Sequence, residues 1–226
     1  MPPKVGRELS HAGLKKKHRE IRDKSPNPIS LRIHRSLSWL SRAEQETGDR
    51  DAAFIFYWIA FNAAYADDTW SLLNTGERSY FEDFFGKLIG LDSENRIYDE
   101  IWNRFPGSIR IILDNKFVFQ PFWNHLNGID GFADWEDRFK RSKRRLHAAL
   151  RSRKTKLVLT TLFDRLYVLR NQIVHGGATW NGKVNRGQVT DGAEILSFLV
   201  PIFIDLMMDN PNVGWGAPFY PVIDDS

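Results

Sequence analysis

Late in the chain, the run Leu169, Arg170, Asn171, Gln172, Ile173, Val174, His175, Gly176, Gly177 sets a permanent cation, an amide and an imidazole close together. An arginine can hold a phosphate through two parallel N–H bonds. A histidine can take up and release a proton near neutral pH. These two abilities suffice, in principle, for attack of a ribose 2′-hydroxyl on its adjoining phosphodiester without a metal, and only RNA carries that nucleophile.

The spacing of apolar residues predicts that this run ends a helix from about Lys156 to His175, stopped by Gly176 and Gly177. At 100° per residue, Leu162, Leu166, Leu169 and Ile173 form one apolar stripe, and Asp164, Asn171 and His175 fall in a narrow arc opposite it. Phe163, Tyr167 and Val174 are expected to cover much of the remaining surface, leaving a polar ridge that faces a cleft or a partner. On a straight helix Arg170 and His175 point roughly 140° apart, so one copy does not bring them together. A two-fold partner would, and the expectation is a homodimer. The alternative for His175 is a structural or capping role.

The elements that must position this helix also read as helical. Leu31, His34, Leu37, Leu40 and Ala43 recur at helical steps until Gly48, and a second helix starts after Asp49 as N-cap and runs through Phe54, Trp58 and Phe61 to about Ala66. Further helices are expected at about 78–90, 94–104, 108–115 and 134–153. The last spans about Asp191 to Asp209, with Asp191 and Glu194 as a capping pair and Pro201 kinking it or being absorbed by a neighbour. Phe117, Phe119, Phe122 and Trp123 around Pro121 form an aromatic loop that packs over the bundle or, alternatively, offers a stacking surface for bases. No alternating apolar run supports a sheet, and the fold class is all-α: a helical bundle with additional short helices and loops.

Charge is unevenly placed. The chain has 32 Lys and Arg against 28 Asp and Glu, a formal net charge of +4. Residues 1–28 form a basic arm expected to be flexible, 29–210 the helical domain and 211–226 a C-terminal tail. The segment from Asp134 to Arg153 is the strongest polyanion signal, with Arg141, Lys143, Arg144, Arg145 and Arg151 as candidate RNA-binding residues; the plain alternative is a solvated helix face.

Several chemistries are excluded or disfavoured. The chain has no cysteine, so disulfides, thiolate nucleophiles and Cys-ligated metals are out. No paired-His metal motif, phosphate-binding glycine loop or serine nucleophile elbow is present, so neither metal nor cofactor is expected. The start of the chain lacks a secretory apolar stretch, and Ile195 to Met208 is too short to span a bilayer, which makes a cytoplasmic protein without membrane partners the expectation.

An Arg, a polar residue, three more residues and His at the end of a late helix resembles the HEPN superfamily, whose motif is Arg-x(4 to 6)-His. The stretch from Leu37 to Ala66, with Ser38-Trp39-Leu40, Arg42-Ala43-Glu44 and Phe54 to Tyr65, is similar to the first long helix pair of bacterial HEPN-like proteins, and the similarity covers about Ile29 to Asp209. The resemblance implies a bundle that dimerises around the motif helices. In many members it also implies a metal-independent endoribonuclease of toxin–antitoxin, anti-phage or RNA-processing systems, with an antitoxin or other protein as a further partner. Arg170 would then hold the scissile phosphate, His175 would transfer protons and Asn171 would position substrate or imidazole. Other members are non-catalytic interaction or ligand-binding modules, which stands as the alternative.

Overall fold

The computed structural model describes residues 9–66, 77–183 and 185–222, with residues 77–79 described through the backbone alone. Ten α-helices and no strand occur among them: α1 His11–Ile21, α2 Asn27–Glu44, α3 Arg50–Tyr65, α4 Glu77–Leu91, α5 Arg96–Asp99, α6 Pro106–Leu113, α7 Gln120–Leu126, α8 Trp135–Arg151, α9 Thr155–Val174 and α10 Arg186–Asp209. A π-helical turn, Glu100–Arg104, continues α5. No described helix is long and apolar enough to cross a membrane. The all-α expectation holds, and Asp49 caps α3 by accepting the N–H of Ala52 at 3.0 Å.

α2, α3 and α10 pack together along their lengths, and α4 and α9 close the other side of α3. The core is aromatic at its centre. Rings of Trp58, Tyr65, Phe81, Phe84, Phe85, Phe163 and Phe203 lie 4.5–6.3 Å from that of Phe61. Tilted and edge-on pairs of this kind add to the free energy gained by removing the rings from water. α10 reaches this cluster because Gly192 carries no side chain: a Cβ there would lie 2.9 Å from Phe54 Cε2 and 3.1 Å from Leu166 Cδ2.

The structure departs from the sequence expectations at both ends. The described part of the basic arm, residues 9–28, is folded onto the bundle: α1 buries Leu14 and His18 against α2 and α10, with Ser10 as its N-cap. Lys17 bonds Asp205 at 2.6 Å and Asp209 at 2.5 Å, so a cation that reads as tail solvation is an inter-helix tether. Arg96 joins the same Asp205 carboxylate at 2.6 Å. At the other end, the tail docks rather than trailing. Trp215 is buried, and the nearly inaccessible Arg32 donates to the carbonyls of Trp215, Gly216 and Ala64.

Two further corrections concern helix starts. α10 begins five residues before Asp191, so Asp191 and Glu194 are interior positions and no capping pair; the helix runs on through Pro201. The aromatic segment is a 3₁₀ turn followed by α7 rather than a loop, and it buries Phe119 and Phe122 while leaving Phe117 exposed. Packing therefore accounts for Phe119 and Phe122.

Candidate functional site

α9 buries Leu162, Leu166 and Leu169 of the predicted stripe, with Leu159 one turn earlier, while Ile173 at the helix end is only partly buried. Its last turn is where the polar ridge emerges. His175 is the C-cap: its N–H donates to the Asn171 carbonyl at 2.9 Å, and Gly176 then takes the left-handed conformation (φ +72°) that ends the helix. The imidazole is exposed.

Arg170 is half-buried and stacks on rings rather than on an acid. Its guanidinium carbon lies 4.8 Å from the centroid of Tyr167 and 5.7 Å from that of Trp58 on α3. Its Nε is buried without a hydrogen-bond partner, as are Asn171 Oδ1 and the indole nitrogen of Trp58. A buried polar atom left unpaired costs about 1–3 kcal/mol, so three around one helix end mark a place where a ligand, water or second chain completes the bonding. No hydrogen bond or ion pair joins Arg170 to His175. A single chain thus presents the two side chains in different directions, as the helix geometry requires.

The loop after His175 is held against the start of α3. Trp180 donates its indole N–H to Asp49 at 2.7 Å, Asn181 donates its backbone N–H to Asp51 at 3.0 Å, and Arg186 bonds Asp51 at 2.7 Å. The Ala52 N–H first and the Trp180 indole second hold the Asp49 carboxyl below its ordinary range. Asn185 reaches back to Gln172 at 2.6 Å. Val174, next to His175 in the chain, is 55% exposed and so does not cover the helix as its position suggested; Trp180, in the loop that follows, is 74% exposed. Sequence reasoning missed Trp58, Asp51, Trp180 and Arg186. Only the Asp49 cap pointed toward this corner.

The candidate RNA-binding residues lie on α8, which packs on α9 through Leu146 and Ala149 and through the bond from Arg165 to Ser142 at 3.2 Å. Arg141 lies 3.6 Å from Asp134, and Lys143 pairs with Asp114 at 3.2 Å. Arg144, Arg145 and Arg151 are exposed and make no ion pair among the described residues. At 100° per residue, Arg141, Arg144 and Arg151 share the face opposite Leu146, and Arg145 lies to one side of it. No hydrogen bond or ion pair links that face to Arg170, Asn171 or His175. Among the described residues, no group of three or more His, Asp or Glu side chains is placed to hold a metal ion.

No family model, no curated protein and no solved structure matches the chain, so the arrangement at the end of α9 has to be interpreted from its own geometry.

Proposed function

We propose that this protein is a metal-independent endoribonuclease that works as a homodimer, with the ends of two α9 helices forming one site. The observation that carries the reading is an exposed His175 on the same helix end as buried, partnerless atoms of Arg170 and Asn171, with exposed apolar side chains at Val174 and, in the following loop, Trp180. A second copy docked on those apolar side chains brings the two sets of groups to one cleft.

In that cleft Arg170 holds the scissile phosphate and offsets the charge that builds up on its oxygens. One His175 takes the 2′-hydroxyl proton as the oxygen attacks phosphorus, and the other gives a proton to the 5′-oxygen as the P–O5′ bond breaks. The products are a 2′,3′-cyclic phosphate and a 5′-hydroxyl. Asn171 positions the imidazole or the substrate, and the cationic face of α8 attracts the RNA backbone. In the setting the resemblance implies, this is a cytoplasmic toxin or anti-phage component restrained by an antitoxin or other protein partner.

The test is cleavage of a mixed RNA pool in EDTA by wild type, Arg170→Ala and His175→Ala, each checked for folding by circular dichroism. Cleavage lost in both folded variants supports the reading. A strict need for divalent metal overturns the chemistry. The stacking of Arg170 on Tyr167 and Trp58 favours a second reading, a non-catalytic dimerisation or ligand-binding module in which Arg170 is structural. That reading takes over if wild type cuts no RNA.

A further inference from the structure

Phe117 is held by three side-chain hydrogen bonds, yet its ring is not packed away. Its N–H donates to Asn115 Oδ1 at 2.8 Å, and its carbonyl accepts from the Trp123 indole at 2.7 Å and from the Gln172 amide. Phe119 and Phe122 are buried, whereas Phe117 stays 44% exposed, edge-on to Phe122 with the ring centroids 5.5 Å apart. A single exposed apolar side chain is ordinary. One whose backbone is fixed by three bonds presents its ring in a set direction, so a ligand that stacks on it meets little ordering cost.

The segment that carries Phe117 joins the cationic α8 to the end of α9. On the α8 side, Asp114 pairs with Lys143 at 3.2 Å and lies 3.3 Å from His147. Lys116 Nζ stands 5.3 Å from the centroid of the Phe117 ring and 6.0 Å from that of Trp135, the first residue of α8. Lys116 is exposed and makes no ion pair among the described residues. On the α9 side, Gln172 holds the Phe117 carbonyl and precedes His175 by three residues. Residues at that spacing are neighbours on a helix surface, about 5–6 Å apart at Cβ.

We propose that Phe117 is a base-stacking residue for the RNA: an unpaired base lies on its ring and Lys116 takes the adjoining phosphate, close to the nucleotide whose phosphate Arg170 holds. The proposal rests on the ribonuclease reading for its place along the RNA, but not for strand binding itself. An aromatic ring set in a cationic track suits an unpaired strand, since every base has a face to stack and the charges follow the backbone. A duplex hides those faces between its own pairs. The setting also argues against an apolar protein surface as the occupant, because the unpaired ammonium 5.3 Å from the ring would be buried with it.

The experiment is fluorescence anisotropy of the full chain with a labelled single strand of 2′-O-methyl RNA, which cannot be cut because the attacking hydroxyl is blocked. A strand of equal length built from abasic residues carries the same charge and no base faces. Wild type is expected to bind the first at least about fivefold more tightly than the second, the lower end of what one base stacked on one aromatic side chain supplies. Phe117→Leu is expected to remove that difference, and Phe117→Trp, which keeps a stacking face, to retain it. Lys116→Gln is expected to lower the slope of log affinity against log salt by about 0.7, one phosphate contact. The comparison of the two strands on wild type needs no variant and carries no folding risk. Wild type indifferent to the bases, no strand binding, or an unchanged preference in Phe117→Leu would overturn the proposal. Base-dependent binding that needs Phe117, in a protein that cuts no RNA, sinks the ribonuclease and leaves the stacking ring; cleavage by a protein indifferent to the bases does the reverse.

Discussion

Arg170 stacks on Tyr167, one turn earlier on α9, with its guanidinium carbon 4.8 Å from the ring centroid. The cation lies over an aromatic face, so its position is set by that contact as well as by charge. Arg170→Lys retains the charge and loses both the ring contact and the two-pronged grip proposed for the phosphate. RNA cleavage is expected to fall at least tenfold. The thermal midpoint should move by only a few degrees, since an aromatic–cation contact of this kind contributes about 0.5–1 kcal/mol. Full activity in the lysine variant would show that charge alone is used.

The exposed end of α9 gives a test of assembly. Val174 is 55% exposed, so Val174→Glu costs the single chain little, whereas a carboxylate buried in a dimer seam is strongly unfavourable. Light scattering is expected to show a dimer for wild type and a monomer for this variant, with cleavage lost alongside. A wild-type monomer at micromolar concentration would remove the composite site.

Gly192 lets α10 come close to α3 and α9. Because a Cβ there meets Phe54 at 2.9 Å and Leu166 at 3.1 Å, Gly192→Ala is expected to destabilise by about 1–3 kcal/mol through overpacking, despite the better helix propensity of alanine. Chemical denaturation reads this directly. A stabilised variant would mean that the Phe54 ring yields without cost.

Asp205 accepts from Lys17 and Arg96, at 2.6 Å each, and so ties α1 and α5 to α10. Burial of Arg96 disfavours its charged form, but the bond to Asp205 and the charges of Asp205 and Asp92 together outweigh burial and hold the guanidinium more firmly charged. Asp205→Ala leaves Lys17 with Asp209 and Arg96 with Asp92 and Glu94, and is expected to cost about 1–2 kcal/mol, since both cations keep a second acid and some solvent. Proteolysis should then cut first in α1. Unchanged protection of α1 would contradict the tether.

His18 and His34 give a pH dependence of known sign. Burial, then the nearby Lys15, lowers both below 6.5; for His18, the neighbouring His34 and Arg22 add to this, and the bond from Ser30 opposes it, while Arg22 and Arg35 add to it for His34. The unfolded chain therefore binds more protons than the folded one just below pH 6.5. Stability from this pair is complete above that pH, drops as pH falls from 6.5 to the lowered values, and levels off beneath them. Urea midpoints between pH 7.5 and 5 should show the drop for wild type and a smaller one for His18→Gln. The same slope in both would assign it to other groups.

Local features of the chain determined a good deal. The alternation of apolar residues placed α2, α3, α4, α8 and α9 to within a few residues, and Asp49 announced itself as a cap, because these are short-range properties of backbone and side chain. The placing of Arg170, Asn171 and His175 at the end of α9 was also legible, since it follows from helix periodicity and the glycines after His175. Long-range partners were not. Lys17 and Asp205 are far apart in sequence, as are Arg32 and Trp215, so a basic arm and an unassigned tail turned out to be packed parts of the bundle. The early start of α10 is equally a tertiary matter, since Asn185 and Arg186 are held by Gln172 and Asp51 rather than by a cap of their own. Periodicity decides which face of a helix is apolar; only the fold decides which distant charge, ring or carbonyl meets it.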